Sequence, residues 1–397
     1  MKKNDMILEV IFKEGPLFRE KIIDKSGIGS ITIGKIIKNL IEEGKIVKDG
    51  KIISGRGRSK SLYKVNPDLY YIEGISFDGS KFIVGVTDLE GKIIYKFERK
   101  FETENQENFI SEINSIIEKV EKDLKTKREK IINIGFSFPG TIDIKKGEIL
   151  GLCNWENWDA INLKKIFKKN FYLFDIPDVL ARAEYEIRKG ERIKNLIYIY
   201  LGEGIGLGVV LNGKLYYGST GNFGEIGHII VNENGERCYC GNYGCLEKFA
   251  GMNSIIENVK EGIKEGVHSE IGKIIEGDIN KIDIEKIKIG IEKGDKLCFE
   301  VIEKAGKYVG KVSALLVNIF NPEIIVFGGL LTQVGDTFLS TIKYYVKKEA
   351  LPILCKDLKI EFSNMDEKEG IIKGTSLTII DIMKEDKNLF NLKKDIK

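Results

Sequence analysis

Residues 224–247 read GEIGHIIVNENGERCYCGNYGCLE and contain the most distinctive pattern of the chain. Four residues of types that bind metal ions fall within this stretch: His228, Cys238, Cys240 and Cys245. Three thiolates and one imidazole complete a tetrahedral zinc site with no open position, which is typical of structural zinc. Cys-x-Cys is a poor geometry for a disulfide, and Gly241 and Gly244 let the backbone fold around one ion. The sequence therefore predicts one structural Zn²⁺ per chain.

Two carboxylates, Glu225 and Glu247, flank the predicted metal ligands. Carboxylates held by a metal-stiffened loop suit bidentate hydrogen bonding to vicinal hydroxyls, the groups that a sugar presents. Ordinary surface acids would give the same sequence pattern, so both interpretations stay open at this point.

Positive charge is concentrated at the beginning of the 397-residue chain. Residues 1–70 contain 15 Lys and Arg against 9 Asp and Glu, whereas the remainder contains 48 against 51. A basic segment on a slightly acidic body predicts a polyanionic partner for residues 1–70. A solvated, lysine-rich surface is the alternative that composition alone allows.

Residues 1–70, called the head below, have the pattern of a winged helix-turn-helix. The predicted elements are helices over 6–14, 17–25 and 30–44, then strands over 45–48, 51–53 and 61–65. Ser30 can cap the third helix, and Asp49-Gly50 is a hairpin signal. The inward-facing apolar positions of the third helix are Ile33, Ile36, Ile37, Leu40 and Ile41.

The third helix of such a fold enters the major groove of duplex DNA, with its N-terminal residues nearest the bases. Six residues are predicted to contact DNA: Ser30, Thr32, Lys35, Lys38, Arg56 and Arg58. Both arginines belong to a Gly-Arg-Gly-Arg tip that can reach a phosphate or the minor groove. A basic protein-interaction module is the alternative.

From Tyr71 onward strands alternate with helices, which predicts an α/β body. Strands over 72–77 and 82–88 are expected to form a hairpin. Glycine-bearing turns at 78–80 and 202–208 follow strands in different halves of the body, a weak sign of internal duplication. We expect three domains: residues 1–70, a first lobe over 71–190 and a second lobe over 191–397.

The composition excludes two classes of protein. With 42% hydrophobic and 31% charged residues the chain can form packed cores, so wholesale disorder is excluded. No apolar run approaches the roughly 18 residues of a membrane helix, and the first residues lack the core of a signal peptide. We therefore expect a soluble, cytoplasmic protein without a membrane partner.

The chain resembles the ROK family of sugar kinases and sugar-responsive repressors. Residues 224–247 carry the most specific part of this resemblance, and the head is similar to the winged helix of the repressor branch. The other matching segments are Gly135-x-x-x-Pro139-Gly140-x-x-Asp143, Asn154 with Trp158, Gly204-Ile205-Gly206-x-Gly208, Asn212-Gly213-Lys214-Leu215-Tyr216, Asn321-Pro322-Glu323 and Gly328-Gly329. Together they cover nearly the whole chain except its last residues.

This resemblance implies a two-lobed, actin-like body of the ribonuclease H-like (ASKHA) class, with a sugar bound in the cleft between lobes. The implied sugar contacts are Asn154, Asp178, Glu225, His228 and Glu247. His228 would serve both zinc and sugar through its two ring nitrogens. Asp178 matches the general base of the kinases, which takes the proton of the attacking hydroxyl.

Three departures from the kinase pattern favour the repressor branch. Ser76 and Asp78 replace the first Asp and a Gly of the family's Asp-x-Gly-Gly-Thr, and Glu203 stands where kinases commonly have Thr. Two added carboxylates in a phosphate cradle oppose ATP binding. We therefore expect a regulator rather than an enzyme, with Asp178 as a vestigial base. An ATP-dependent sugar kinase with an additional DNA-binding head, or a regulator whose ligand is not a free sugar, are the alternatives.

Binding to an operator requires two heads at a fixed spacing. We therefore expect a homodimer or higher homo-oligomer and a roughly palindromic operator. A sugar that closes the cleft changes operator affinity only through its differential affinity for the two lobe arrangements. Release of DNA by the sugar, the commoner behaviour in the family, would relieve repression of carbohydrate-utilisation genes.

Overall fold

The computed structural model describes residues 3–52, 59–101, 106–151, 159–167 and 170–386. In the head the elements are α1 (Lys3–Glu14), β1 (Leu17–Phe18), α2 (Arg19–Ser26), α3 (Ser30–Glu42), β2 (Ile46–Ile52) and β3 (Lys60–Val65). The strands form an antiparallel sheet in the order β1-β3-β2, and the apolar faces of the three helices are buried against one another. This is the winged helix-turn-helix that the sequence predicts.

The start of α3 differs from the prediction that Ser30 caps it. Gly29 occupies the capping position, and Ser30 is the first helical residue. The Arg19 guanidinium donates to the Ser30 carbonyl oxygen at 2.6 Å and to its hydroxyl at 3.1 Å, so Ser30 is held from α2. Ile41, expected to face inward, is 36% exposed because the buried row of α3 stops at Leu40, just before the helix ends.

The wing also differs from prediction in two details. β1 pairs with β3 instead of opening the second helix. Asp49-Gly50 is not a hairpin turn, because β2 runs through it and only shifts its register with β3. Gly50 has a φ of +78°, a left-handed conformation that glycine adopts without strain, and the pair forms a β-bulge. Arg56 and Arg58 lie outside the described residues.

The first half of the body is built on a five-stranded sheet. Its elements are β4 (Tyr71–Phe77), β5 (Lys81–Thr87), β6 (Ile93–Lys100), α4 (Gln106–Leu124), β7 (Ile131–Phe138), β8 (Thr141–Asp143), β9 (Glu148–Gly151), β10 (Ile161–Asn162), β11 (Asn170–Asp175) and α5 (Ile176–Ile187). The strand order is β11-β7-β4-β5-β6. Strands β11, β7 and β4 are parallel to one another, whereas β5 is antiparallel to both β4 and β6. The strands β8, β9 and β10 form a separate small sheet.

The second half of the body repeats this plan. Its elements are β12 (Leu196–Leu201), β13 (Ile205–Leu211), β14 (Lys214–Leu215), α6 (Glu247–Ala250), α7 (Met252–Lys264), α8 (Ile271–Ile274), α9 (Ile284–Glu292), α10 (Lys296–Phe320), β15 (Ile324–Gly328), α11 (Asp336–Glu349), β16 (Lys359–Phe362) and α12 (Glu367–Glu385). The strand order is β14-β13-β12-β15-β16, and from β16 to β14 the pairs are parallel and antiparallel in the same succession as from β11 to β6 in the first sheet. Two copies of one sheet plan give the actin-like body, so the internal duplication is real. The turn expected over 202–208 is shorter, since β13 begins at Ile205.

The last helix, α12, packs against the first sheet rather than the second. A Cβ built on Gly374 would lie 1.8 Å from the backbone oxygen of Val179 in α5, so the two helices touch at their backbones. The hydroxyl groups of Thr375 and Ser137 lie 2.7 Å apart, which joins α12 to β7. The domain boundaries at residues 70 and 190 stay a prediction. The predicted second lobe, residues 191–397, nevertheless includes α12, which packs with the first half of the body.

The same helix also contacts the head. One buried apolar cluster joins residues of α1 and α3 with Leu377, Ile380 and Met383 of α12. The ammonium of Lys384 lies 6.0 Å from the ring centre of Phe12, and Lys64 of the wing pairs with Glu90 of the body at 2.6 Å. The head is therefore packed on the body through α12.

None of the helices within the described ranges has the length and apolar character needed to cross a bilayer.

The backbone contact between α5 and α12 yields a stability prediction. We expect Gly374→Ala to lower the free energy of unfolding by about 1–3 kcal/mol, because the added methyl group has no space beside Val179. Gly272→Ala is the matched control, since nothing lies within 4 Å of a Cβ at that position. Urea denaturation of both variants measures the difference, and equal stabilities would contradict the packing.

Candidate functional site

The four predicted metal ligands lie together on the loop between β14 and α6. One possible ligand atom from each of His228, Cys238, Cys240 and Cys245 lies within 4.8 Å of all the others. The Cys238 sulfur is 3.6 Å from His228 Nδ1, and the sulfurs of Cys240 and Cys245 are also 3.6 Å apart. Three sulfur atoms and one ring nitrogen at these separations fit a single tetrahedral ion.

Backbone geometry explains why this loop closes around one point. Isolated β-bridges pair Ile230 with Cys245 and Arg237 with Tyr243. Gly244 has a φ of +74°, and a Cβ there would lie 1.6 Å from the carbonyl oxygen of Asn232, so only glycine fits. The glycine beside Cys245 is therefore a requirement of the fold.

The environment of the loop raises the pKa values of two of its thiols. Burial, together with the neighbouring thiols of Cys240 and Cys238, raises the pKa of the Cys245 thiol to about 12. Burial also raises the pKa of Cys238. A metal ion that binds here must therefore displace protons from buried thiols.

The second ring nitrogen of His228 has a partner that the sequence did not indicate. Nε2 lies 3.1 Å from the hydroxyl of Tyr239, which stands between two of the metal ligands in the chain. The contact of His228 with a sugar stays a prediction, and Tyr239 is a protein partner for the ring nitrogen that does not face Cys238. Burial raises the pKa of Glu247, and a hydrogen bond with Tyr239 opposes this rise.

Asp178 is placed by the first turn of α5. Strand β11 ends at Asp175, whose carboxylate accepts a hydrogen bond from the Ile176 N–H at 2.8 Å and caps the helix. Strand β13 crosses this turn closely: a Cβ on Gly208 would lie 2.2 Å from the Pro177 carbonyl oxygen. Asp178 is 1% exposed, and neither carboxylate oxygen has a hydrogen-bond partner within the described residues.

Carboxylates surround this turn. Burial raises the pKa of Asp178 well above its ordinary value, and the charges of Asp175 and Glu225 raise it further. Burial and Glu225 likewise raise the pKa of Asp175 to about 8, against the hydrogen bond from Ile176. Burial raises the pKa of Glu247 as well, and the charge of Glu225 adds to the rise. Glu225 therefore lies within electrostatic reach of the other three acids.

The structure thus brings together four of the five predicted sugar contacts: Asp178, Glu225, His228 and Glu247. The fifth, Asn154, lies outside the described residues. Their sugar-binding role stays a prediction. Asp175 was missed, although an acid three residues before Asp178 at a strand end was a visible signal. Tyr217 was also missed: burial raises the pKa of its phenol, and the charge of Asp178 adds to this.

The loop that holds phosphate in kinases makes its own contacts here. The Ser76 hydroxyl donates to the Ser137 carbonyl oxygen at 3.2 Å. One carboxylate oxygen of Asp78 accepts from the backbone N–H groups of Ser80 and Lys81, at 2.9 and 3.0 Å. The Asp78 side chain therefore closes its own turn and engages two backbone donors.

The predicted DNA-contacting residues of α3 lie on its outer side. Ser30, Lys35 and Lys38 are exposed and Thr32 is partly exposed, opposite the buried isoleucines. Lys38 pairs loosely with Glu42 at 3.7 Å, and both side chains remain exposed. Their role in DNA binding stays a prediction.

Comparison with known proteins agrees with this geometry. The ROK family profile matches residues 72–380. The xylose repressor of Caldicellulosiruptor bescii is 27% identical over 95% of each chain, and the DNA-binding transcriptional dual regulator NagC of Escherichia coli K12 is 28% identical over 92% of this chain and 89% of its own. A crystal structure of a ROK family transcriptional regulator, a homolog of E. coli MLC, superposes with a TM-score of 0.77 at 24% identity, covering 96% of this chain and 97% of its own. A ROK glucokinase from Streptomyces griseus gives a TM-score of 0.66 at 22% identity, covering 77% of this chain and 98% of its own. The chain therefore belongs to the ROK family.

Proposed function

We propose that this protein is a sugar-responsive transcriptional repressor of carbohydrate-utilisation genes. The observation that carries the proposal is the presence of a winged helix-turn-helix and a ROK body in one chain, with the two packed together through α12. The relatives named as repressors or regulators align over both parts, since they cover 92–95% of this chain. A regulator bound to the genome would act in the cytoplasm, which agrees with the location expected from the sequence.

The DNA contacts that we propose come from the outer side of α3 and from the wing. Lys35, Lys38 and the partly exposed Thr32 would face the major groove, and Arg56 and Arg58 would contact phosphate or the minor groove. Since one recognition helix reads a short site, we propose that the protein binds a rough palindrome as a homodimer or larger assembly.

We propose that the loop ligands hold one structural Zn²⁺. Three thiolates and an imidazole suit zinc and leave no coordination position for catalysis. The ion would fix the positions of Glu225 and Glu247, which begin and end the loop. Asp178, Glu225 and Glu247, with Asn154 and His228, would then form the sugar site.

We propose that the sugar changes operator affinity through α5 and α12. Asp178 lies in the first turn of α5, and one turn later Arg182 pairs with Asp381 of α12 at 2.5 Å. α12 in turn contacts Phe12 of the head through Lys384. A sugar that moves the start of α5 can thereby favour one position of the head, as binding linkage requires.

A sugar kinase is the second candidate, because Asp178 is present and a ROK glucokinase shares the fold of the body. Against it stand the two backbone donors taken up by Asp78 and the added carboxylate of Glu203. We therefore propose that Asp178 accepts hydrogen bonds from a sugar hydroxyl and does not act as a base.

The DNA interface predicts a steep dependence of operator affinity on salt. We expect replacement of both Arg56 and Arg58 by Ala to reduce the slope of log affinity against log salt by roughly one unit per lost phosphate contact. Lys304→Ala, which removes an exposed lysine from α10, is the matched control and should leave the slope unchanged. Fluorescence anisotropy with promoter fragments measures the slopes, and binding that is insensitive to salt would contradict the interface.

The metal site predicts about one zinc equivalent per chain by elemental analysis. We expect Cys240→Ser to lose the zinc and to lower the melting temperature by about 4 °C or more, since the loop loses its cross-link. Cys355→Ser, which alters a cysteine outside the loop, should retain both. A metal-free protein of unchanged stability that still responds to sugar would refute a structural zinc.

The role of Asp178 separates the two candidate functions. We expect Asp178→Asn to weaken binding of the effector sugar by about 10- to 100-fold, because a carboxylate acceptor contributes about 1.5–3 kcal/mol per hydrogen bond. Calorimetry with a panel of sugars measures the affinity. An ADP-release assay with the same panel tests the kinase, and turnover that disappears in Asp178→Asn would establish an enzyme instead.

A further inference from the structure

The charge around the first turn of α5 restricts what the cleft can bind. Asp178 is fully buried, and neither of its oxygens accepts a hydrogen bond from the described part of the chain. A buried carboxylate without a donor is costly, since burial removes its hydration without replacing it. A ligand that carries donors therefore has a defined place to bind.

The groups that act on Asp178 add further negative charge. The charges with the largest influence are those of Asp175 and Glu225, and both are carboxylates. Arg182, one turn further along α5, is already engaged by Asp381 and Glu186. Tyr217, which also faces Asp178, is neutral because burial raises the pKa of its phenol. The described residues thus supply no cation to this turn.

The metal loop does not supply the missing positive charge either. A divalent ion held by three thiolates leaves that loop with a net negative charge, and a metal-bound His228 is neutral. Glu247 adds another acid on the same side, hydrogen-bonded to the Ile205 N–H at 3.3 Å. The filled zinc site therefore adds no positive charge to the cleft.

The positions of these acids do not suit a single bound metal ion. In the described residues the only group of acidic, histidine or cysteine side chains close enough to hold one ion is the His228 and cysteine cluster. Asp175, Asp178 and Glu225 interact electrostatically but do not converge on a single point. An ammonium group joined to a polyhydroxylated ring can instead meet Asp175 and Asp178 at one end and reach Glu225 through hydroxyls.

We propose that the effector is an amino sugar, a hexose with a free amino group, whose ammonium binds between Asp175 and Asp178. This rests on the proposed function, because it assigns the chemical class of ligand to the same sugar site. Asp178 has no hydrogen-bond donor within the described residues, and an ammonium supplies three donors together with the positive charge that allows Asp175 and Asp178 to ionise. Asp175 is then a specificity-determining residue, because it selects the amine over the hydroxyl at the same ring position.

The test uses the zinc-loaded, full-length protein and matched sets of sugars in isothermal titration calorimetry near pH 6.5. Glucosamine, galactosamine and mannosamine are each compared with the parent hexose and with its N-acetyl derivative. In at least one set we expect the amine to bind about tenfold or more tightly than both neutral forms. We expect Asp175→Asn to abolish this preference, since asparagine keeps the helix cap but lacks the charge.

Controls separate charge from folding. Asp283→Asn makes the same change at the cap of α9, in the second half of the body, and should retain the preference for the amine. Asp175→Ser, which also caps a helix, provides a second variant if Asp175→Asn does not fold. Melting curves of each variant establish that the protein is folded.

Equal affinity for amine and parent in every set, or no binding by any sugar, would overturn the proposal. So would stabilisation by Mg²⁺ or Ca²⁺ alone that Asp175→Asn removes, since that result assigns the turn to a metal ion. Release of operator DNA by a neutral sugar would overturn it while leaving the repressor function intact. Failure of the protein to bind any operator would instead contradict the repressor, because the preference for the amine is measured without DNA.

Discussion

The close contact between α5 and α12 is the constraint on which the rest of the structure depends. Gly374 allows the backbones of the two helices to touch, and the pair Arg182 and Asp381 fixes their register. One end of this unit carries Asp178 in the cleft, and the other end packs on Phe12 in the head. Because packed helices shift as rigid bodies, we propose that the cleft and the head move together.

The parts of the molecule that were predictable are those whose determinants are local in the chain. The metal ligands lie within eighteen residues of one another, and glycines with left-handed backbone mark the turns that bring them together. The head follows from helical periodicity, because the buried row Ile33, Ile36, Ile37 and Leu40 is visible in the sequence. The predictions at the two ends of α3 were less reliable. Ser30 is held by Arg19 of α2 and does not cap the helix, and Ile41 is exposed because the helix ends just after it.

The parts that were missed depend on how distant segments align. Asp175 joins the cleft because β11 ends level with β7 in a parallel sheet, a register that no single segment encodes. Tyr239 finds Nε2 of His228 only after the loop has closed. The packing of α12 against the first sheet was also missed, because the sequence of an amphipathic helix does not indicate which sheet the helix will cover. The residue types indicated that acidic side chains line the cleft, whereas the sheet topology determines which of these acids lie close together.

The acid-rich cleft would also allow one small ligand to control a large domain. To reverse a two-state equilibrium from 1:99 to 99:1, a ligand must favour one state by about 5.5 kcal/mol. A charge-assisted hydrogen bond contributes about 1.5–3 kcal/mol, so about two to four that form in only one lobe arrangement are sufficient. Asp178 would meet this requirement, because its oxygens have no partner within the described residues and a bound ligand would supply one. A site already satisfied by the protein would bind the ligand with less difference between its two states and would therefore transmit less to the head.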